Sequence, residues 1–396
     1  MVTLAKANLQ LPLAAPLCTT TTMTRKEFIK ICGLLGIVVP FHTSCVTSSL
    51  INHISSKFEG KVIIIGAGAG GLSAGYLLDQ LGIDFEILEA SSGFGGRMKI
   101  NTDFADFPIP LGAEWIETKS EIFSEILNDD SVQLDIKTIK DSPDYKFVNS
   151  SWFNFYEKYI VPSILDKIIF NSIVHSINYS EEKISVSTSQ GLKLADKVIV
   201  SVPLKILQAG DIEFTPGLSK DKQSVIKNAL IWDGFKAFFE FSNSFYDSGF
   251  EKIIENSKTQ QKIFYDASFG QDSDKNIIGL FSVGNSVDKY NSLSKSQLRD
   301  VVLEELDNLF SNHATSNYKK HISQNWNKEP FIRGGYLTDH ADWKEVRTLS
   351  ESVKNKVYFA GGEYTDGESW VSVHTAARSA KKAVDEILLN TEHNKT

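Results

Sequence analysis

The 396-residue chain predicts an α/β fold, and three stretches carry that expectation. Near the start, residues 61–82 read as strand, glycine-rich turn and helix. Near the end, KVYFA, the tight turn Gly361-Gly362-Glu363 and a helix striped with Val373, Ala376, Ala377, Ala380, Val384, Ile387 and Leu388 repeat that order. Between them, residues 168–202 alternate in strand fashion. Together they describe a Rossmann-like domain assembled from both ends of the chain and a middle strand set. The remainder is left for a smaller, mixed α+β domain.

The first unit is the most specific. Lys61–Ile65 is a β-branched run, Gly66, Gly68 and Gly71 form GxGxxG, and an amphipathic helix from about Leu72 to Leu81 stops at Gly82. Gly66 makes the turn, Gly68 lets a pyrophosphate approach the backbone, and Gly71 packs helix against strand. The helix N-terminus then offers unpaired N–H groups and a favourable dipole to phosphates. Glu89 closes the next strand 18 residues beyond Gly71, where a carboxylate accepts hydrogen bonds from ribose hydroxyls. This combination reads as dinucleotide binding. Gly93, Gly95, Gly96 and Arg97 follow directly, a second glycine-rich turn bringing a cation and bare backbone to the same pyrophosphate.

The run Glu89-Ala90 to Gly95-Gly96-Arg97, EAxxxxGGR, resembles the FAD-binding signature of the flavin amine oxidase superfamily, which also includes protoporphyrinogen oxidases and carotenoid desaturases. The resemblance implies FAD as cofactor and an amine oxidase-type two-domain fold. By it the FAD-binding domain comprises 60–115, 166–205 and 325–396, and the substrate domain 116–165 and 206–324.

Composition bounds the partners. With 42% hydrophobic residues the chain reads as globular, and a formal charge of −8 without a basic patch argues against nucleic acid. Cys18, Cys32 and Cys45 all precede residue 46, so the remaining chain can form no disulfide, thiolate metal site or cysteinyl flavin bond. No metal constellation is present in the sequence.

Residues 1–45 read as an export signal and 46–59 as a Ser-rich tether. The basic segment TRKEFIK at 24–30 precedes an apolar run, Ile31 to Phe41, too short to span a bilayer. It resembles a twin-arginine motif with lysine in the second basic place, a Sec signal being the alternative. Met23 begins a complete signal, so residues 1–22 are expected to lie outside the natural protein. Thr43-Ser44-Cys45 resembles a lipoprotein cleavage site, which implies lipid attachment at Cys45 and an exported, periplasmic or membrane-attached protein of a bacterium.

The other site residues follow from the resemblance, in chain order. LGAEWIE at 111–117 resembles the family segment DxGAxWI, with Pro110 in place of its aspartate; Trp115 and Glu117 match positions that line the substrate cavity of polyamine oxidases. A solvated carboxylate at a helix start is the other reading of Glu117. Residues 118–165 are shorter than the family's helical insertion, and Trp152, Phe153, Phe155, Tyr156 and Tyr159 are either cavity roof or core, core being the default. Residues 168–179, IIFNSIVHSINY, read as one strand and resemble NxxVxxI, which puts the backbone of Val174 at the adenine.

DGFKAFFEF at 233–241 alternates Phe235, Ala237, Phe239 and Phe241 against Lys236, Phe238 and Glu240. A lysine in so aromatic a strand is expected to be buried, which disfavours its charge. It resembles the family lysine that holds a water against flavin N5, the alternative being a lysine snorkelling from an edge strand. Helix Lys295 to Phe310 has a surface pattern. WNKEPFIRGGY resembles the turn that supplies one wall of an aromatic slot, here Tyr336; Gly335 replaces the flavin-bonded cysteine of monoamine oxidases, so the FAD is expected to be non-covalent. The tail resembles FAGExT lengthened by a glycine. This implies Gly362 and Glu363 near ribitol and phosphates, and a helix whose start, Ser372 and Val373, stabilises negative charge on reduced flavin. His374 reads as a packing residue. Ser372 stands where the second slot aromatic is usual, with Trp370 a substitute two residues earlier.

The reading is an FAD-dependent oxidoreductase that oxidises an amine by hydride transfer, with dioxygen as acceptor. Two rivals stand beside it: a desaturase or porphyrinogen-type flavoenzyme acting on a carbon–carbon bond, and a flavin-bound module without turnover.

Overall fold

The strand–turn–helix units at the two ends of the chain build one sheet. In the computed structural model, which describes residues 58–338, 341–366 and 371–393, five parallel strands stand in the order Val357–Phe359, Lys197–Val200, Val62–Ile65, Phe85–Leu88 and Ile168–Ile169. All four residues of the central strand are buried, as a continuous apolar run requires when both faces of a sheet are covered. Val62 and Ile64 share a core with Leu72 and Leu78 of helix Ala69–Gln80 and with Ala377, Ala380 and Ile387 of helix Val373–His393. Ile63 and Ile65 pack the other way, against Ile177, Ile184 and Val186 of a small four-stranded sheet.

The first helix begins one turn earlier than expected, at Ala69, with Gly68 as its N-cap. Gly71 has the expected packing role, since a Cβ there would stand 1.9 Å from the carbonyl oxygen of Gly66.

Two details of the middle strand set differ from the sequence reading. Residues 168–179 are two strands in two sheets: Ile168–Ile169 extends the parallel sheet, and Val174–Asn178 belongs to the small one. Asn171, with φ 55°, turns the chain between them, a conformation asparagine tolerates better than most residues. Gly191–Ala195 is a further strand, antiparallel to Ile184–Thr188.

A third, antiparallel sheet runs Glu251–Ser257, Gln260–Asp266, Asn276–Gly284, Gly234–Phe241 and Tyr318–Asn325. Phe235, Ala237, Phe239 and Phe241 pack on Val302 and Leu306 of helix Lys295–Leu309, while Phe238 faces Phe104, Ile109 and Tyr265. This is the alternation expected of the strand. The expected export signal 1–45 with Cys45, the expected tether up to residue 57, and Trp370 lie outside the described residues.

Candidate functional site

A continuous cavity of about 1120 Å³ runs from the tips of the parallel strands to the face of the antiparallel sheet. It is lined by Gly66, Gly68, Glu89, Ala90, Gly96, Arg97, Val174, Gly362, Glu363, Ser372 and Val373 at one end, and by Trp115, Glu117, Lys236 and Tyr336 at the other. Every site residue expected from the sequence therefore borders one space except Gly71, whose role is packing.

At the nucleotide end the glycine-rich turn is braced by an acid. Glu89 accepts the N–H of Ala67 at 2.7 Å on one oxygen, and the N–H and O–H of Ser91 at 2.8 and 2.7 Å on the other. A carboxylate has about four acceptor positions, so one is left for a ribose hydroxyl. Arg97 reaches across to the tail turn: Nη1 donates to the carbonyl of Gly335 at 2.5 Å, Nη2 to Glu363 Oε2 at 2.9 Å, and Nη1 also meets Glu363 Oε1. Glu363 is buried. The last helix is capped by Ser372, whose Oγ accepts from Thr375 N–H at 3.4 Å, and Val373 of its first turn lines the cavity. Ser372 Oγ also stands 2.5 Å from His374 Nδ1, and burial pushes that imidazole down to about 4, which suits packing better than base chemistry.

Two observations test whether this end fits FAD. A Cβ at Gly68 or at Gly93 would meet nothing within 4 Å, so the wall is bare backbone where phosphates must come close. Ser172 borders the cavity with a buried Oγ that has no hydrogen-bond partner, an orphan that a ribose or adenine group can satisfy. The residues fit.

At the other end Lys236 is only 3% exposed and belongs to a strand with neighbours on both sides, so it does not snorkel from a sheet edge. Its Nζ donates to the carbonyls of Pro110 and Gly112, both at 3.1 Å, and to Glu114 Oε2 at 2.6 Å. The ring of Trp115 lies 5.0 Å from the same nitrogen and meets Phe281 edge-on at 5.3 Å. Burial lowers the lysine pKa and Glu114 opposes it. All three ammonium protons are engaged, so the expected water is held only by exchange with one of these contacts. Tyr336 lines the same cavity, its ring 6.0 Å from that of Trp232 and edge-on to it.

Beyond Trp115 the wall turns acidic. Glu117 opens into the cavity among Asp144, Glu251 and Gln261. Surrounding protein, then the nearby charge of Asp144, pushes Glu117 up to about 7, and the same two causes raise Glu251.

The aromatic helix Trp152–Tyr159 divides its duties. Trp152, Phe155 and Tyr156 are core, with Trp152 Nε1 donating to the carbonyl of Trp115 at 2.9 Å. Phe153 borders the cavity and stacks on Phe94 at 5.2 Å. Sequence reasoning missed Glu114, Asp144, Ser172 and Glu251. Only Glu114 carried a signal, an acid between Ala113 and Trp115 in a segment already assigned to the cavity.

The family model "Flavin containing amine oxidoreductase" matches residues 157–388, more than half the chain, and "NAD(P)-binding Rossmann-like domain" matches 64–129. Lysine-specific histone demethylase 1B of Mus musculus is 29% identical over 175 residues, covering 43% of this chain and 21% of that one. Polyamine oxidase 1 of Zea mays is 48% identical over 72 residues, 17% of this chain and 14% of that one. The chain thus spans about a fifth or less of the length of these relatives. A solved putrescine oxidase bound to putrescine superposes with a TM-score of 0.67 at 13% identity, covering 84% of this chain and 99% of that one, a likeness of fold.

Proposed function

Because this chain belongs to the flavin containing amine oxidoreductase family, whose cofactor is FAD, we propose that it oxidises a small amine bearing more than one ammonium group, with dioxygen as acceptor. One observation carries the reading. The cavity that holds the nucleotide cradle is also lined by Trp115, Lys236, Glu117, Asp144 and Glu251, with Asp144 close enough to act on both Glu117 and Glu251.

FAD, when bound, supplies an acceptor for the hydride leaving the carbon next to nitrogen. The chain's own residues do the rest. Gly66, Gly68, Glu89, Ala90, Gly96, Arg97, Val174 and Glu363 hold the dinucleotide, and the first-turn amides at Val373 favour negative charge at the helix start. Trp115 and Tyr336 restrict the reacting carbon to a slot and exclude water. Glu117, Asp144 and Glu251 give a remote ammonium its counter-charge.

A carbon–carbon desaturase would have no use for that acidic wall, and a module without turnover none for Lys236 and Tyr336 in the same cavity. Supporting the amine reading are the polyamine oxidase and putrescine oxidase among the chain's likenesses. Release of hydrogen peroxide on adding putrescine tests it together with the acceptor; turnover only with an artificial acceptor would show that dioxygen is not the acceptor.

The absence of any cysteine beyond Cys45 supports a non-covalent flavin. Export, with lipid attachment at Cys45, is proposed on the residues of the leader alone.

A further inference from the structure

We infer that Glu114 positions Lys236 for the reaction: its carboxylate holds the ammonium in a hydrogen-bond-saturated clamp at the cavity wall. This rests on the amine oxidase reading for the purpose of the clamp, and on geometry alone for its existence.

The protonation state follows from counting donors. Lys236 Nζ faces three acceptors, the carbonyl oxygens of Pro110 and Gly112 and Glu114 Oε2. Carbonyls cannot donate, and a neutral amine has one proton too few for all three, so the contacts require the ammonium form. Glu114 is itself fixed. The same Oε2 accepts the hydroxyl of Tyr265 at 2.6 Å, and Oε1 lies 3.8 Å from Nζ of Lys146, a second buried lysine anchored to the carbonyl of Ala267 at 3.0 Å. Burial works to raise the Glu114 pKa, but Lys236 and Lys146 hold it below the ordinary carboxylate value.

The charged and titratable groups converge from several elements. Glu114 comes from the loop after Ile109–Pro110, Lys146 from strand Tyr145–Phe147 and Lys236 from strand Gly234–Phe241. Tyr265 and Asp266 come from strand Gln260–Asp266, Glu251 lies on the neighbouring strand, and Asp266 offsets part of the charge of Lys146. Glu114 is the carboxylate that touches Lys236. Without its charge, two ammonium groups share a buried site, and Lys236 is the one on the cavity wall. Its reach toward the reacting atoms then depends on losing a proton.

Glu114→Gln keeps an acceptor for Tyr265 and removes the charge. Burial already holds the Lys236 pKa below its ordinary value in the parent, and without the opposing charge of Glu114 it should fall further. A group so depressed contributes stability that is present above its unfolded pKa and lost as pH falls through the folded one. Tm of E114Q is therefore expected to lie roughly 5–10 °C below the parent near neutrality, with the deficit shrinking as pH rises toward about 10. E114D, which keeps the charge, should show no such slope, and E114Q/K236M should recover most of the loss. The rate of anaerobic flavin reduction by putrescine should gain a pH-dependent limb in E114Q that is absent in E114D.

A deficit equal at every pH, or one that E114Q/K236M shares, means that Glu114 acts by packing and overturns the inference. If E114Q does not fold, recovery of folding in E114Q/K236M supports the clamp and failure of both overturns it. The function fails separately: should no amine reduce the parent's flavin, that reading falls while the Tm series still judges the clamp.

Discussion

Arg97 and Glu363, 266 residues apart in the chain, form a two-pronged ion pair that closes the cavity wall between the first glycine-rich unit and the tail. The parallel sheet brings them together, because the strand before Glu363 and the strand before Gly66 both flank Lys197–Val200. Arg97 thus serves both the phosphates and the joint between the two ends of the chain.

Arg97→Met should leave Glu363 buried without a counter-charge. A loss of about 3 kcal/mol in folding stability is expected from denaturant unfolding, together with at least a tenfold fall in retained flavin. Adding Glu363→Met should restore part of the stability and none of the flavin. If flavin retention returns as well, Arg97 is a structural strut only.

Two glycines of one motif should respond oppositely to alanine. At Gly71 the new Cβ would lie 1.9 Å from backbone, so G71A should destabilise the flavin-free protein by several kcal/mol, on the order of 3 or more. At Gly68 the Cβ enters open space where the cofactor is expected, and φ is −83°. G68A should therefore keep apo stability within about 1 kcal/mol and weaken FAD binding by tenfold or more. Titrating the apoproteins with FAD, with Tm read in parallel, separates the two.

Glu117 opens into the cavity, and the surrounding protein and the charge of Asp144 push its pKa up to about 7, so it is neutral below that pH and anionic above it. A cationic amine is bound better by the anion. KM should accordingly fall, by up to about tenfold, as pH rises through 7. In Glu117→Gln the KM should stay at its high, low-pH value with the step gone. The stability sign is opposite: the raised folded pKa favours folding below it, and that advantage fades as pH rises through about 7. An unaltered KM profile in E117Q removes the residue from substrate binding.

Cys45→Ala should move the protein from the membrane fraction to the soluble periplasmic fraction on cell fractionation, without changing its flavin content. Equal distribution of both forms contradicts lipid attachment.

What the sequence disclosed was local chemistry. Gly66, Gly68, Gly71 and Glu89 act within one strand–turn–helix unit, so spacing alone placed them, and the alternation around Lys236 fixed which side it faces. Pairings between distant segments were not legible, since nothing in LGAEWIE states that Glu114 meets a lysine 122 residues on. Strand Gly191–Ala195 hid because Leu192 and Leu194 are exposed, which inverts the usual apolar pattern. The split at Asn171 hid because Val174 and Ile177 continue the buried apolar positions that Ile168 begins, and among the four residues between the strands only Asn171 is left-handed.

In the proposed reaction the cavity lined by Trp115 delivers an amine carbon to FAD. Anaerobic titration of the purified holoprotein with a panel of mono-, di- and polyamines, read by flavin absorbance, tests it most directly. Full bleaching by di- or polyamines is expected, faster than by monoamines of equal length, and slowed at least a hundredfold in Lys236→Met at unchanged flavin content. A flavin that stays oxidised with every amine, while an unsaturated lipid or porphyrinogen bleaches it, would rule out amine oxidation.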